Sequence, residues 1–209
     1  GDVWAWGADA GVNLWRTTGD LLDSWANLES VGFRQAGRER WAGPGHWNDT
    51  DMLIVGSLGW GRGEPRPTNL TRNEQILHIT LWAIQAAPLM LGADLSRLDP
   101  WTIDLLTNDE VLDVTLDTLG VAGGRVWKEG RLEVWARPLH DGTRAVGLFN
   151  RGLKPYDVTV RFADLGLSGP QPVRDLWRQA DLGTSTDAFT AEVPRHGAMM
   201  LKIGRPAGG

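Results

Sequence analysis

The run Thr71-Arg72-Asn73-Glu74-Gln75-Ile76-Leu77-His78-Ile79-Thr80-Leu81-Trp82-Ala83-Ile84-Gln85-Ala86-Ala87-Pro88-Leu89-Met90-Leu91-Gly92 decides the architecture of the first half of the chain. Thr71 with Glu74 three residues on is a capping box, the reciprocal pairing that opens a helix. Ile76, Leu77, Ile79, Leu81, Trp82 and Ile84 leave little polar face, so a mostly buried helix is expected, and Pro88 ends it. The apolar run at residues 89–92 then fits a buried strand. Asp99-Pro100 supplies an N-cap and an N1 proline for a further helix to about Leu106. Upstream, residues 3–7 read as a strand end and 20–28 as a helix with Leu21, Leu22, Trp25 and Leu28 on one face. Strand and helix alternate, the pattern of a parallel α/β array.

Past Gly120 the texture changes. Residues 125–128, 132–136, 144–150, 156–162 and 197–203 are strand-like runs separated by Glu129-Gly130, Asp141-Gly142 and other turn residues, with no helix pattern among them. An antiparallel β-sandwich over 120–204 is expected, joined through residues 120–124 to an α/β part at 1–119 and followed by a frayed tail at 205–209.

Composition narrows the function classes. With 209 residues, 42% of them hydrophobic and 22% charged, the chain can bury a proper core. A net charge of -5 with scattered Lys and Arg offers no basic stripe, which argues against nucleic acid as a partner. No apolar run reaches the roughly 18 residues of a membrane span. Zero cysteines exclude disulfides and thiolate metal sites and leave the compartment open. The first residues, Gly1-Asp2-Val3-Trp4-Ala5-Trp6-Gly7, lack the features of a signal peptide and read as the middle of a domain; any secretion signal is expected upstream.

Two short stretches carry the chemistry: Trp15-Arg16-Thr17-Thr18-Gly19-Asp20 and Pro44-Gly45-His46-Trp47-Asn48-Asp49-Thr50-Asp51-Met52-Leu53. Each sets a carboxylate near a tryptophan in a Gly- or Thr-containing turn. An indole face packs on the C–H side of a pyranose, while carboxylates accept from its hydroxyls and do acid and base work. Taken singly, each residue has a plainer reading: Asp20 as a helix cap, Arg16 as a surface ion-pair partner, the 48–51 run as an Asx-turn cluster. The 48–51 run lacks the glycine and distal Glu of a calcium loop, and His46, His78, His140 and His196 do not recur at ligand spacing, so no metal and no cofactor is expected and the histidines read as structural. Most of the twelve tryptophans read as core.

The two stretches occur in order with Leu81-Trp82-Ala83-Ile84-Gln85-Ala86-Ala87-Pro88-Leu89 and Leu106-Thr107-Asn108-Asp109-Glu110-Val111, and together they closely resemble glycoside hydrolase family 27, the α-galactosidase family. The tail, with Glu133-Val134-Trp135, Val146-Gly147-Leu148-Phe149-Asn150-Arg151 and Val193-Pro194-Arg195-His196-Gly197, resembles that family's C-terminal domain. The resemblance implies a (β/α)8 TIM barrel with its site at the C-terminal ends of the strands, of which 1–119 carries the last three strand-helix units. It implies a retaining glycosidase acting on terminal α-galactosyl or related sugar residues of a carbohydrate substrate. By motif, Asp20 falls on the general acid/base, Arg16 on the arginine that addresses the sugar, and Asp51 and Met52 on sugar-contacting positions. Trp47 and Asp49 support that turn, and Trp6 joins the substrate-binding set.

Two departures matter. The family's nucleophile is an Asp in a Lys-x-Asp strand end, and no Lys-x-Asp occurs in this sequence. Since retaining cleavage needs two carboxyl groups, the chain is expected to be inactive alone, as a C-terminal piece of a longer enzyme. The alternative is a non-catalytic carbohydrate-binding or structural fragment. Ala5 stands where well-known members carry a Glu on the sugar 2-hydroxyl, so the sugar is expected to be galactose or a relative such as β-L-arabinopyranose, N-acetylgalactosamine or an isomaltose unit.

Overall fold

The computed structural model describes residues 2–59 and 63–206. The first half opens on a 3-10 turn at Val3–Ala5, where a strand end was expected: Ala5 N–H bonds Asp2 C=O and Gly7 N–H bonds Val3 C=O, so these residues satisfy one another locally. Strand β1 (Leu14–Arg16) runs parallel to β2 (Trp47–Asp49), in a register that sets Trp15 against Asn48 and Arg16 against Asp49. Helix α1 spans Trp25–Phe33 and begins later than the sequence pattern suggested, because Ser24 is the residue that caps it, accepting from Asn27 N–H. Asp20, Leu21 and Leu22 therefore lie in the loop between β1 and α1. Asp20 caps nothing.

A short antiparallel pair, β3 (Ser57–Leu58) with β4 (Arg66–Pro67), follows. Helix α2 (Arg72–Ile84) starts as expected and ends short of Pro88, on Gln85, with Ala86 at a φ of +53°. Thr71 Oγ1 accepts from Glu74 N–H, Glu74 Oε2 accepts from Thr71 N–H, and ten of its residues are buried. Residues 89–92 make one parallel bridge, Leu53 to Leu91, in place of the expected buried strand, and Met90 and Leu91 are exposed at this edge. Helix α3 (Pro100–Leu106) starts on Asp99 as expected, and α4 (Asp109–Thr115), which the sequence reading left out, is capped by Asn108 through Val111 N–H.

The second half is all strand: β5 (Gly124–Glu129), β6 (Leu132–Pro138), β7 (Arg144–Asn150), β8 (Tyr156–Arg161), β9 (Pro170–Asp175), β10 (Ala180–Thr186), β11 (Ala188–Val193) and β12 (Gly197–Ile203). Six form one antiparallel sheet in the order β10-β9-β12-β7-β6-β5, and β11 pairs with β8 as a second, smaller layer. Phe162, expected to end β8, opens a 3-10 turn at Phe162–Leu165. Arg205 and Pro206 of the expected tail are exposed, and the rest of it lies outside the described residues.

Both faces of the large sheet are covered, and the alternation of side chains shows how. Val134, Val146, Leu148, Leu201 and Ile203 point into a core closed by Val158, Val160 and Val193 of the small layer. Their neighbours Trp135, Ala145, Phe149 and Met200 point the other way, into the core shared with α1 and α2. There Phe33 packs edge-on against Trp135 and Phe149, at 6.1 and 5.5 Å between ring centres. A sheet buried on both faces explains why β7 reads as an unbroken apolar run.

Charged groups bridge the same junction. Glu29 of α1 pairs with Arg131 and Arg151, and Arg151 also pairs with the fully buried Glu133, which accepts from Trp135 Nε1. Gly123 closes the seam, its N–H bonding Ile84 C=O at 2.7 Å. A Cβ at Gly123 would stand 2.6 Å from the carbonyl oxygens of both Ala136 and Ile84. Gly123→Ala should therefore cost about 1–3 kcal/mol by overpacking against backbone that cannot rotate away. Urea unfolding of the variant beside the parent checks this, and an unchanged midpoint would contradict it.

Candidate functional site

Because β1 and β2 run parallel and in register, Arg16 and Asp49 end them side by side, and the loops that follow carry Asp20 and Asp51. Arg16 links the two loops. Its Nη2 stands 3.0 Å from Asp51 Oδ2 and 3.4 Å from Asp20 Oδ1, and it donates to Gly19 C=O at 2.9 Å. The Asp20 side chain is 89% exposed and that of Asp51 only 8%. One carboxylate is offered to solvent while the other is built in.

Asp51 has a φ of +80°, a left-handed backbone that non-glycine residues adopt at a cost of about 1–3 kcal/mol unless their surroundings hold it. Here they do. Its N–H donates to Asp49 Oδ1 (2.8 Å), and its C=O accepts from Trp82 Nε1 (2.8 Å). Its Oδ2 accepts from Leu21 N–H (2.6 Å) and its Oδ1 from Met52 N–H (2.9 Å). Leu21 is the residue after Asp20, so the Asp51 carboxylate anchors the loop that presents Asp20. Asp49 in turn accepts at its C=O from Thr17 N–H and Thr17 Oγ1. Burial pushes the Asp49 carboxyl above the usual carboxylate range, with Asp51 adding to the rise while the Asp51 N–H bond and Arg16 oppose it.

The other expected residues separate into near and far. Met52 follows Asp51 and is 44% exposed, its thioether lying over Gly92, where an added Cβ would meet Sδ at 2.5 Å. Trp47 stands apart from the carboxylates. As the first residue of β2 it lies at the opposite end of the strand from Asp49, and it lines an apolar recess with Ala86, Pro88, Leu89 and Leu112. Trp6 is 55% exposed beyond the first 3-10 turn and takes no part in the bonds that hold Asp49 or Asp51. Trp15, an indole not singled out for the site, is buried and donates to Asn48 Oδ1 at 2.7 Å, fixing β1 against β2.

Helix α2 supplies supports that the sequence reading missed. Gln75 Oε1 accepts from Gly56 N–H, His78 Nε2 from Ile54 N–H, Trp82 Nε1 donates to Asp51 C=O, and Gln85 Oε1 meets Thr50 Oγ1. These four stand at i, i+3, i+7 and i+10, a single helix face laid along residues 50–56. The spacing of hydrogen-bonding side chains on an otherwise apolar helix was the available signal. Two of the four histidines are buried in packing: His78 is fully buried, and His196 stacks on Trp25 at 4.0 Å while its Nδ1 meets Glu74 Oε1. Among the described residues no cluster of three or more His, Asp or Glu could hold a metal ion, and no helix is long and apolar enough to cross a membrane.

Comparison with known proteins sets this geometry in a family. The family model described as alpha galactosidase A matches residues 8–117, and the alpha galactosidase C-terminal beta sandwich domain matches 129–203. The chain belongs to glycoside hydrolase family 27, the α-galactosidase family. Alpha-galactosidase 2 of Arabidopsis thaliana is 39% identical over 209 residues, covering 98% of this chain and 49% of its own. The alpha-N-acetylgalactosaminidase of Gallus gallus is 34% identical, over 90% of this chain and 46% of its own. The crystal structure of a GH27 β-L-arabinopyranosidase from Geobacillus stearothermophilus superposes with a TM-score of 0.84 at 35% identity, over 95% of this chain and 46% of that one. The chain thus spans about half the length of the family members it matches.

Burial lowers the His78 pKa from 6.5 to about 3, and the accepted Ile54 N–H requires a neutral ring. As pH falls below 6.5 the unfolded chain takes up a proton that the folded ring refuses until about pH 3, so stability drops across that window. The steepest contribution is about 1.4 kcal/mol per pH unit. Thermal unfolding between pH 7 and 4 should show a shallower pH dependence for His78→Gln than for the parent. Equal slopes would contradict this assignment.

Proposed function

We propose that this chain is the C-terminal half of a retaining glycoside hydrolase in which Asp20 is the general acid/base. Residues 1–119 then form the last three strand-helix units of a (β/α)8 barrel, and 120–204 the β-sandwich that follows them. The observation that carries this reading is the exposed Asp20 carboxylate held beside Arg16 on loops at the C-terminal ends of two parallel strands, where barrel enzymes place their chemistry. The exposed Leu14, Met90 and Leu91 at the strand edges support it, since further barrel strands would cover them.

The second carboxyl group of the reaction comes from outside this chain. Asp51 is buried and accepts from Leu21, Met52 and Arg16, and Asp49 is 5% exposed and committed to Asp51 N–H. Both are fixed in the turn by these bonds, and neither carboxylate is exposed as that of Asp20 is. In the first step the external carboxylate forms the glycosyl ester while Asp20 gives its proton to the departing oxygen. In the second, Asp20 takes a proton from the water that cleaves the ester. Arg16 and Met52 face the sugar, and Asp51 reaches it by the edge of its carboxylate.

The substrate is a terminal α-galactoside or a close relative. The names of similar proteins include an alpha-galactosidase, an alpha-N-acetylgalactosaminidase and a β-L-arabinopyranosidase, sugars that differ in groups around one ring. Ala5, exposed in the first 3-10 turn, has no group to bind a 2-hydroxyl, which favours a site tolerant at that carbon.

In the enzyme that carries this chain, Asp20→Asn should abolish glycosylation by alkyl α-galactosides, which need a protonated leaving group, and affect activated aryl α-galactosides much less. Rapid-mixing measurement of the first turnover with both substrates tests this. Near-parental cleavage of the alkyl substrate by the variant would contradict the role given to Asp20. The 209-residue chain alone should show no turnover of either.

A further inference from the structure

We propose that Trp82 is a positioning residue for this chemistry, setting the place of Asp20 through Asp51. This inference rests on the role of Asp20 proposed above.

Trp82 is fully buried on α2, and its ring is held on two sides. His78 meets it edge-on at 4.2 Å and 88°, and the α1 backbone at Gly32 comes so close that an added Cβ would stand 3.0 Å from Cζ3. The indole N–H consequently has one fixed direction, and at its end is Asp51 C=O, 2.8 Å away. That carbonyl belongs to the residue at φ +80°, whose conformation a plain turn would not select. With Asp49 holding the N–H and Trp82 the C=O, the Asp51 peptide is fixed at both ends and its carboxylate aims at Leu21 N–H and Arg16. Leu21 N–H is one peptide from Asp20, and Arg16 touches Asp20 directly. The route through Leu21 is buried up to Asp20, while the one through Arg16 runs along a partly exposed side chain.

Aromatic packing alone would be served as well by phenylalanine, so the nitrogen is the group to remove. Trp82→Phe keeps most of the ring and loses the bond to Asp51. Trp177→Phe is the control: its indole N–H donates to Thr80 Oγ1, also on α2, at a contact with the β-domain away from the carboxylates.

Both variants are made in the full-length enzyme. Trp82→Phe should slow the first turnover of an alkyl α-galactoside by about 10- to 100-fold, the penalty of a displaced acid, and slow a dinitrophenyl α-galactoside far less. The amides of Leu21 and Met52 should exchange with solvent faster. Trp177→Phe should leave the ratio of the two rates at the parental value. Equal slowing of both substrates by Trp82→Phe, or unchanged exchange at Leu21 and Met52, would overturn the inference. If the parent enzyme cleaves neither substrate, the proposed reaction fails, and exchange at Leu21 and Met52 alone then decides whether Trp82 fixes the Asp51 turn.

Discussion

Asp51 holds a backbone conformation that costs energy, and four hydrogen bonds, two to its peptide groups and two to its carboxylate, keep it there. A strained residue persists only where its surroundings over-determine it, and strain of this kind gathers at sites of function. The consequence is directional. With Asp51 turned this way its carboxylate reaches back across β1 to Leu21 and Arg16, joining two loops that the parallel register had only brought near. Were Asp51 an ordinary turn residue, the loop of Asp20 would lose its bond at Leu21 and rest on Arg16 at Gly19 C=O.

What holds Asp51 is in turn held by the whole molecule. Helix α2 bonds residues 50–56 with one face and, past its exposed first turn, packs the rest against α1 and the six-stranded sheet. The β-domain is thereby the floor under the helix that supports the site. Phe33 between Trp135 and Phe149, Gly123 on Ile84, and the Glu29, Arg151 and Glu133 pairs make the two halves one packed body. Dry, tightly packed interiors transmit small displacements, so a change at this floor reaches the carboxylates.

Legibility in the sequence followed the strength of the local signals. The capping box at Thr71 and Glu74, the Asp99-Pro100 start, and the alternating runs of β7 and β12 are physical instructions that tertiary contacts did not override. Residues 20–28 misled because Leu21, Leu22, Trp25 and Leu28 share a helical spacing, yet Ser24 is the better cap and the Asp51 bond draws Leu21 into the loop. Strands β9, β10 and β11 were silent for a different reason: Pro170 and Pro172 interrupt the first, β10 is a polar, Gly-containing edge strand, and β11 is a short strand of the small layer. Of the site, the grouping of Arg16, Asp20, Asp49 and Asp51 was readable from their motifs. The place of Trp47 was not, since a strand's two ends look alike in sequence, and neither was the service of Trp82, because its partner is a carbonyl.

The central claim is that these 209 residues hold the acid/base and its supports while the nucleophile lies elsewhere in the protein. Trapping the glycosyl-enzyme ester with a slow fluorinated α-galactoside on the full-length enzyme, then mapping the labelled peptide, tests it most directly. The label is expected on an Asp upstream of Gly1. A label on Asp20, Asp49 or Asp51 would contradict the account.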